Sequence, residues 1–135
     1  MIGILVTGHG EFPSGISSTV KMFFEDTTGY RYVDFKEGMN LMAYQDMVIE
    51  QIRELKKENS AVLIITDLFG GTPFNQAMMV AQEENYVDVI TGLCLPVLME
   101  AMMLRESATN TKDLIASLQE TFITSFIDGN NLLNK

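Results

Sequence analysis

Residues 61–66 read Ala-Val-Leu-Ile-Ile-Thr and are followed by a polar, glycine-rich stretch at residues 67–72, Asp-Leu-Phe-Gly-Gly-Thr. An unbroken apolar run rich in β-branched residues is typical of a strand that is buried on both faces of a sheet. The glycines end the strand, and Pro73 suits the first turn of a helix that we expect to run to about Glu83. The stretch therefore predicts a strand, a turn and a helix, which together form the repeating unit of a parallel α/β sheet.

The same alternation of strand and helix continues along the rest of the chain. Further strands are predicted at residues 2–7, 30–35 and 86–91, with helices near 15–25, 41–57, 96–105 and after 111. Ser14, Asn40 and Thr111 are expected to cap three of these helices, because their side chains can accept hydrogen bonds from free backbone N–H groups. The pattern predicts an α/β fold, with a doubly wound, mainly parallel four-stranded sheet and helices on both faces.

The length of 135 residues and the mass of 15.1 kDa correspond to one domain. We expect that domain to cover residues 1–128 and residues 129–135 to form a loose tail. The single cysteine, Cys94, excludes an internal disulfide and is compatible with a reducing cytoplasm. The ten methionines are expected to fill irregular gaps in the core, because Met is unbranched and adaptable.

The chain is strongly acidic. Nine Lys and Arg residues against eighteen Asp and Glu residues give a net charge of −9. Nucleic-acid binding and docking on anionic membranes both require a basic surface, so the composition argues against each of them. An acidic surface can instead attract a basic protein partner. The N-terminus lacks the basic region of a signal peptide, and no apolar run approaches the roughly 20 residues that span a membrane.

His9 is the only histidine, and it follows the first predicted strand between two glycines. In a doubly wound sheet the functional crevice lies at the carboxyl ends of the strands, which is where His9 is predicted to lie. Histidine titrates near neutral pH and can act as a nucleophile or a proton carrier, and flanking glycines leave space around its ring. The alternative is a histidine that only satisfies a turn.

Asp67 follows the third predicted strand. If the first and third strands are neighbours, their backbones lie about 4.8 Å apart at this edge, and the carboxylate can reach one ring nitrogen of His9. Such a carboxylate fixes the tautomer of the imidazole and leaves the other nitrogen free as a nucleophile. The alternative is an aspartate that caps the following turn.

Gly71 and Thr72 lie at the start of the predicted helix after the third strand. Free backbone N–H groups at a helix N-terminus favour anions, and Thr72 adds a hydroxyl donor, so these two residues are predicted to form a small phosphate-binding site. A Thr72 N-cap followed by Pro73 at the first helical position uses the same donors, and the two interpretations are compatible.

Other nucleotide-binding and catalytic patterns do not fit the sequence. Pro13 stands where the dinucleotide fingerprint needs a third glycine, and Ile16 stands where the phosphate-binding loop of nucleotide hydrolases needs lysine. A single histidine argues against a histidine-based metal site. A hydrolase with Ser14 or Thr7 as its nucleophile stays open, although no Gly-x-Ser-x-Gly pattern is present.

Three stretches, in order along the chain, resemble the signatures of one protein family. They lie at residues 1–10, ending in Thr7-Gly8-His9-Gly10, at residues 66–75, Thr-Asp-Leu-Phe-Gly-Gly-Thr-Pro-Phe-Asn, and at residues 91–98, Thr-Gly-Leu-Cys-Leu-Pro-Val-Leu. In this order and at these separations the chain resembles the IIA component of the mannose-type sugar phosphotransferase system. The resemblance covers the chain to about residue 126.

The resemblance implies the strand order 2-1-3-4, which places His9 and Asp67 on adjacent strands. It implies a phosphotransferase in which His9 accepts a phosphoryl group on Nε2 from the phosphocarrier HPr and passes it to a IIB protein or domain. Asp67 would orient the ring, while Thr72 and backbone amides near Gly71 would hold the phosphoryl oxygens. No metal or other cofactor is expected, and the membrane components IIC and IID would be reached only indirectly.

The resemblance also implies a cytoplasmic homodimer, in which an extra C-terminal strand can be exchanged between subunits. The apolar segment 95–104 fits either a dimer interface or a helix buried in its own subunit. Cys94 stands where the family usually has asparagine. Two other functions remain open from the sequence: the phosphoryl-donor subunit of a dihydroxyacetone kinase, and a non-catalytic regulatory α/β module.

Overall fold

The computed structural model describes residues 1–135. The strands are β1 (Ile2–His9), β2 (Tyr30–Phe35), β3 (Ala61–Thr66) and β4 (Val87–Ile90). The helices are α1 (Phe12–Phe23), α2 (Leu41–Lys56), α3 (Thr72–Glu83), α4 (Leu95–Leu104) and α5 (Thr111–Ser125), followed by a short 3₁₀ helix at Gly129–Leu133. None of the helices is both long enough and apolar enough to span a membrane.

The four strands form one sheet in the order β2-β1-β3-β4, and all three pairings are parallel. This confirms the predicted fold class and strand order. Thr7 of β1 is paired with Thr66 of β3, and His9 of β1 is paired with Phe35 of β2. The residues that follow β1, β2 and β3 therefore meet at one edge of the sheet, where functional crevices form in this architecture.

Each face of the sheet is covered by its own apolar core. On one face, buried side chains of α1, α4 and α5 pack against Ile2, Ile4 and Val6 of β1. On the other face, buried side chains of α2 and α3 pack against Leu5 and the alternate residues of β3. Because successive side chains of a strand point to opposite faces, the continuous apolar runs of β1 and β3 supply both cores.

Helix α1 begins earlier than predicted. It starts at Phe12, and Ser14 therefore lies in its first turn and is not the N-cap. The carboxylate of Asp34, on β2, accepts the hydrogen bond from the backbone N–H of Ser14 at 2.8 Å. A carboxylate from a neighbouring strand thus replaces the local cap, which cannot be read from the sequence around the helix.

The caps of the other helices agree only in part with the sequence. Asn40 caps α2 as predicted, and its side chain accepts from the N–H of Ala43. Helix α5 is capped by Asn110, whose side chain accepts from the N–H of Asp113, so the prediction that Thr111 is the cap is wrong. Thr111 is instead buried as the first helical residue. Asn ranks above Thr as an N-cap, so the intrinsic preference already favoured Asn110 over the residue that follows it.

The prediction that methionines fill the core is wrong. Of the ten, only Met102 is buried, and seven are exposed: Met1, Met22, Met42, Met47, Met78, Met79 and Met103. The core is filled by Val, Ile and Leu, which have better-defined rotamers. Helix α4 buries Val97, Leu98, Ala101 and Met102 within its own chain, which accounts for most of the apolar excess of segment 95–104.

The C-terminal region of the chain consists of α5 and the 3₁₀ helix. Leu114 and Leu118 of α5 are buried, but Phe122 is half exposed and Phe126 lies beyond the end of the helix. Residues 129–133 form the 3₁₀ helix, whose first turn is capped by the side chain of Asp128, and no fifth strand joins the sheet. The exchange of a C-terminal strand between subunits stays a prediction.

Candidate functional site

The carboxyl edge of the sheet brings His9 and Asp67 together. His9 is the last residue of β1, and Asp67 directly follows β3, the parallel neighbour of β1. The Asp67 side chain is almost completely buried, with 7% of its surface exposed, whereas the His9 side chain is 44% exposed. The imidazole can therefore be reached from outside, while the carboxylate beneath it is shielded.

The carboxylate of Asp67 accepts three hydrogen bonds. Its Oδ2 atom accepts from the backbone N–H of His9 at 2.8 Å and lies 2.8 Å from Nδ1 of the same residue. Its Oδ1 atom accepts from the backbone N–H of Leu68 at 2.9 Å. Asp67 thus holds both the main chain and the ring of His9, and it also satisfies the turn that follows β3.

These contacts keep Asp67 ionised. Burial of the carboxyl group raises its pKa, but hydrogen bonds from the backbone and ring of His9, and from the backbone of Leu68, lower it by more, so the pKa of Asp67 lies below its ordinary value of 3.8. An ionised carboxylate can only accept at Oδ2, so in neutral His9 the proton is assigned to Nδ1. The lone pair of Nε2 is then free.

Two glycines make these close approaches possible. A Cβ atom on Gly8 would lie 2.8 Å from Cγ of Asp67, and a Cβ atom on Gly71 would lie 2.7 Å from Cε1 and 3.3 Å from Nε2 of His9. The distances to Cγ of Asp67 and to Cε1 of His9 are shorter than real Cβ atoms show. Gly8 therefore makes room for the carboxylate, and Gly71 brings the backbone of the next loop against the nucleophilic edge of the imidazole.

The N-terminus of α3 lies beside this edge. Gly71 is the N-cap, Thr72 is the first helical residue and Pro73 is the second, so the alternative in which Thr72 caps the helix is wrong. No side chain caps α3. Because its first N–H groups have no partner from the helix itself and the helix dipole is positive here, this end of α3 is suited to an anion close to Nε2.

Sequence reasoning placed Phe35 at a strand end without assigning it a role, and it missed Tyr44. The ring of Phe35 lies edge-on to His9, with 6.1 Å between the centroids, and the ring of Tyr44 lies 4.7 Å behind that of Phe35. The role of Phe35 depends on the parallel register of β1 and β2, which pairs Phe35 with His9. That register is set by the packing of the whole sheet and is not apparent from local sequence.

Other residues that follow the strands lie near this edge without joining His9 and Asp67. Lys36 and Glu37, after β2, are exposed loop residues. Cys94 is half-buried and is the N-cap of α4, without a side-chain hydrogen bond at that cap. No group of three or more His, Cys, Asp or Glu side chains is arranged to hold a metal ion.

Residues 3–119 match the family model described as the PTS system fructose IIA component. The chain belongs to this family. It is therefore a IIA component of the mannose family and a subunit of a sugar phosphotransferase system. The match runs from β1 into α5 and includes His9, Asp67, Gly71 and Thr72.

Individual relatives agree with the family. The fructose-specific EIIA component of Bacillus subtilis is 32% identical over 93% of this chain and 85% of its own length. The sorbose-specific EIIA component of Lacticaseibacillus casei is 28% identical over 90% of this chain and 88% of its own length. The chain spans 37% of the mannose-specific EIIAB component of Escherichia coli, with 28% identity.

Solved structures share the fold almost from end to end. The phosphotransferase system component EIIA of Streptococcus agalactiae has a TM-score of 0.87 and 27% identity, and the alignment covers 97% of this chain and 99% of that one. The PTS IIA protein associated with the fucose utilization operon of Streptococcus pneumoniae has a TM-score of 0.84 and 31% identity, covering 98% and 96%. The doubly wound sheet of this IIA component is therefore the same as theirs.

Proposed function

We propose that this IIA component carries a phosphoryl group on Nε2 of His9, accepting it from phosphorylated HPr and passing it to a IIB protein or domain. The observation that carries the proposal is the pairing of Nδ1 with ionised Asp67, which leaves Nε2 free beside Gly71 at the N-terminus of α3. A nucleophile held next to an anion-binding helix end is what phosphoryl transfer requires.

The transfer uses only groups of this chain and its partners. The Nε2 lone pair attacks phosphorus while the bond from phosphorus to the donor's leaving atom breaks, and that atom keeps the bonding electrons. The Nδ1 proton stays on the ring, where Asp67 offsets the positive charge that develops on the imidazole. Backbone amides near Gly71, together with Thr72, hold the phosphoryl oxygens. Transfer to IIB is the same step with this chain as donor.

The charge of the chain supports a basic donor protein. With a net charge of −9, the chain attracts basic partners over long distances, and this attraction raises association rates at low salt. We place the exchange in the cytoplasm, where the membrane components IIC and IID receive the phosphoryl group only through IIB. The sugar then never contacts this chain, which needs no sugar pocket beside His9.

The test of this proposal follows the phosphoryl group to its acceptor. The chain, phosphorylated by HPr and separated from it, is mixed with a cognate IIB protein or with the kinase subunit of a dihydroxyacetone kinase. Transfer to IIB alone is expected. Transfer to the kinase subunit alone would support that alternative, and the absence of any phosphorylation would support a regulatory module. A His9→Gln variant, taken through the same steps, shows whether His9 is the carrier.

We also propose that the protein is a homodimer. A groove of about 770 Å³, lined mostly by apolar side chains such as Phe74, Ile90 and Phe122, lies between α3, β4 and α5. The same chain exposes 91% of Phe126 and 65% of Ile127. Exposed apolar surface of this kind marks an interface, and we propose that a second copy related by a two-fold axis covers both features.

A further inference from the structure

The imidazole of His9 is fixed by Asp67 along one edge only. A hydrogen bond at Nδ1 sets the tautomer, but by itself it leaves the ring free to tilt about that edge. The ring is also 44% exposed, so solvent does not hold it in one orientation. Two further neighbours restrict it: the backbone of Gly71, next to Cε1, and the side chain of Phe35.

Phe35 contacts this site through its side chain and through its main chain. Its ring faces His9 edge-on, at 69° between the planes, which is a favourable arrangement for two aromatic rings. Its carbonyl oxygen accepts a hydrogen bond from the N–H of Gly10 at 2.8 Å. Gly10 has a φ of +62°, so this bond holds the sharp turn that directly follows His9. Phe35 therefore restrains both the imidazole and the chain that carries it.

Phe35 is held in turn by Tyr44 of α2. Tyr44 is fully buried and its ring packs on that of Phe35. Its hydroxyl lies 2.6 Å from Oγ1 of Thr7, and Oγ1 itself donates to the carbonyl of Val33 at 2.7 Å, so Tyr44 is the donor to Thr7. Burial raises the pKa of Tyr44 to about 12, and its hydroxyl stays a neutral donor at any working pH.

We propose that Phe35, held in place by Tyr44, is a positioning residue for His9. Its ring keeps the imidazole in the orientation that presents Nε2 to the partner protein, and it shields the phosphorylated ring from water. The proposal rests on the proposed function, because it assigns Phe35 a role in the lifetime of the phosphohistidine. In the reaction that Phe35 opposes, water attacks phosphorus, the phosphorus–Nε2 bond breaks, and inorganic phosphate leaves while Nε2 regains its lone pair.

The experiment compares Phe35→Ala, Phe35→Leu and Tyr44→Phe with wild type. The control is Ile52→Ala, which truncates a buried residue of the same apolar cluster away from His9 and lowers stability without touching the site. Two quantities are measured: the hydrolysis rate of the purified phosphoprotein and the ¹⁵N signals of the imidazole. Because His9 is the only histidine, each ring nitrogen gives a single resonance.

Phe35→Ala is expected to hydrolyse about tenfold faster than wild type, because water reaches the phosphorylated ring more easily once the shielding side chain is removed. Its His9 signals should broaden or shift, because the ring can then tilt about the edge that Asp67 holds. The hydrolysis rates and His9 signals of Phe35→Leu and Tyr44→Phe should lie between those of Phe35→Ala and wild type. Ile52→Ala should match wild type in both measurements. Wild-type hydrolysis and unchanged His9 signals in Phe35→Ala would overturn the proposal, as would an equal effect of Ile52→Ala.

The two measurements also separate this proposal from the proposed function. If wild type accepts no phosphoryl group from HPr, the proposed function fails. The His9 signals of the unphosphorylated variants still decide whether Phe35 positions the ring.

Discussion

Oδ2 of Asp67 bonds to His9 twice, accepting from its backbone N–H and from its ring at Nδ1, each at 2.8 Å. A single oxygen thus fixes both the position of the residue and the tautomer of its imidazole. The arrangement depends on β1 and β3 being neighbours, and on Gly8, whose missing side chain leaves room for the carboxylate. The chemistry proposed for His9 follows from this pairing.

Asp67→Asn is expected to slow the formation of phosphohistidine about 10- to 100-fold, as is typical when a hydrogen-bonded carboxylate behind a functional imidazole is replaced. The amide cannot offset the charge that develops on the ring, and its NH₂ group can hold the wrong tautomer. Rapid-quench kinetics with phosphorylated HPr measure the rate, and circular dichroism checks that the variant is folded. A rate within about twofold of wild type would contradict the assigned role.

The same residue predicts how stability depends on pH. The folded-state pKa of Asp67 lies below its ordinary value of 3.8, so the ionised form stabilises the fold above that value. The contribution is lost as the pH falls through the lower, folded-state pKa. Urea unfolding of wild type and Asp67→Asn at decreasing pH should therefore show a larger loss of unfolding free energy below about pH 4 in wild type. Parallel curves for the two proteins would contradict this prediction.

Gly71→Ala is expected to impair phosphoryl acceptance, because the new methyl group would lie 2.7 Å from Cε1 of His9 and displace the ring. A loss of about tenfold or more in rate is expected for a displacement of this kind. The matched control is Gly15→Ala in α1, where a Cβ atom meets nothing within 4 Å. That variant should keep its activity and gain about 0.5–1 kcal/mol in stability. Equal activity in the two variants would refute the close contact at Gly71.

Substitution of Arg105 is expected to change stability and not phosphoryl acceptance, because this residue lies away from the carboxyl edge of the sheet. It is buried, and its guanidinium donates to the backbone carbonyls of Thr28 and Asp26, which joins the end of α4 to the loop before β2. Burial lowers the pKa of the guanidinium. Arg105→Met should cost about 2 kcal/mol of unfolding free energy, because the carbonyls lose their donors. Urea unfolding measures this cost, and a change below about 0.5 kcal/mol, or a matching loss of phosphoryl acceptance, would contradict it.

The proposed dimer predicts that charge on the exposed C-terminal side chains separates the subunits. Sedimentation equilibrium should give wild type twice the 15.1 kDa mass of one chain, and Phe126→Glu with Ile127→Glu should give one chain. Met22→Glu, at an 80% exposed position on α1, is the control and should stay dimeric. A wild type that sediments as a single chain at micromolar concentration would contradict the proposal.

The sequence predicted the fold well because its two strongest signals are local. Local sequence defines β1 and β3, because each is an apolar run that glycines follow. The carboxyl ends of these strands therefore meet in one crevice. The family resemblance then supplied the strand order. His9 and Asp67 were predicted to meet because both directly follow strands, and a strand end is a position that local sequence defines.

What the sequence could not predict depends on contacts between distant elements. The carboxylate of Asp34 stabilises the start of α1 from another strand, and Tyr44 reaches the site through Phe35. Neither relationship has a local signature. The methionines were placed wrongly because adaptability describes what Met tolerates and does not decide where it lies. Most of them lie on the outer faces of helices, and the branched residues of the strands fill the core.

Intact-protein mass spectrometry after incubation with phosphoenolpyruvate, enzyme I and cognate HPr tests the central claim most directly. Wild type is expected to gain one acid-labile phosphoryl group, and His9→Gln is expected to gain none. A folded wild type that stays unmodified, or a His9→Gln variant that is still phosphorylated, would contradict the claim that this IIA component carries its phosphoryl group on His9.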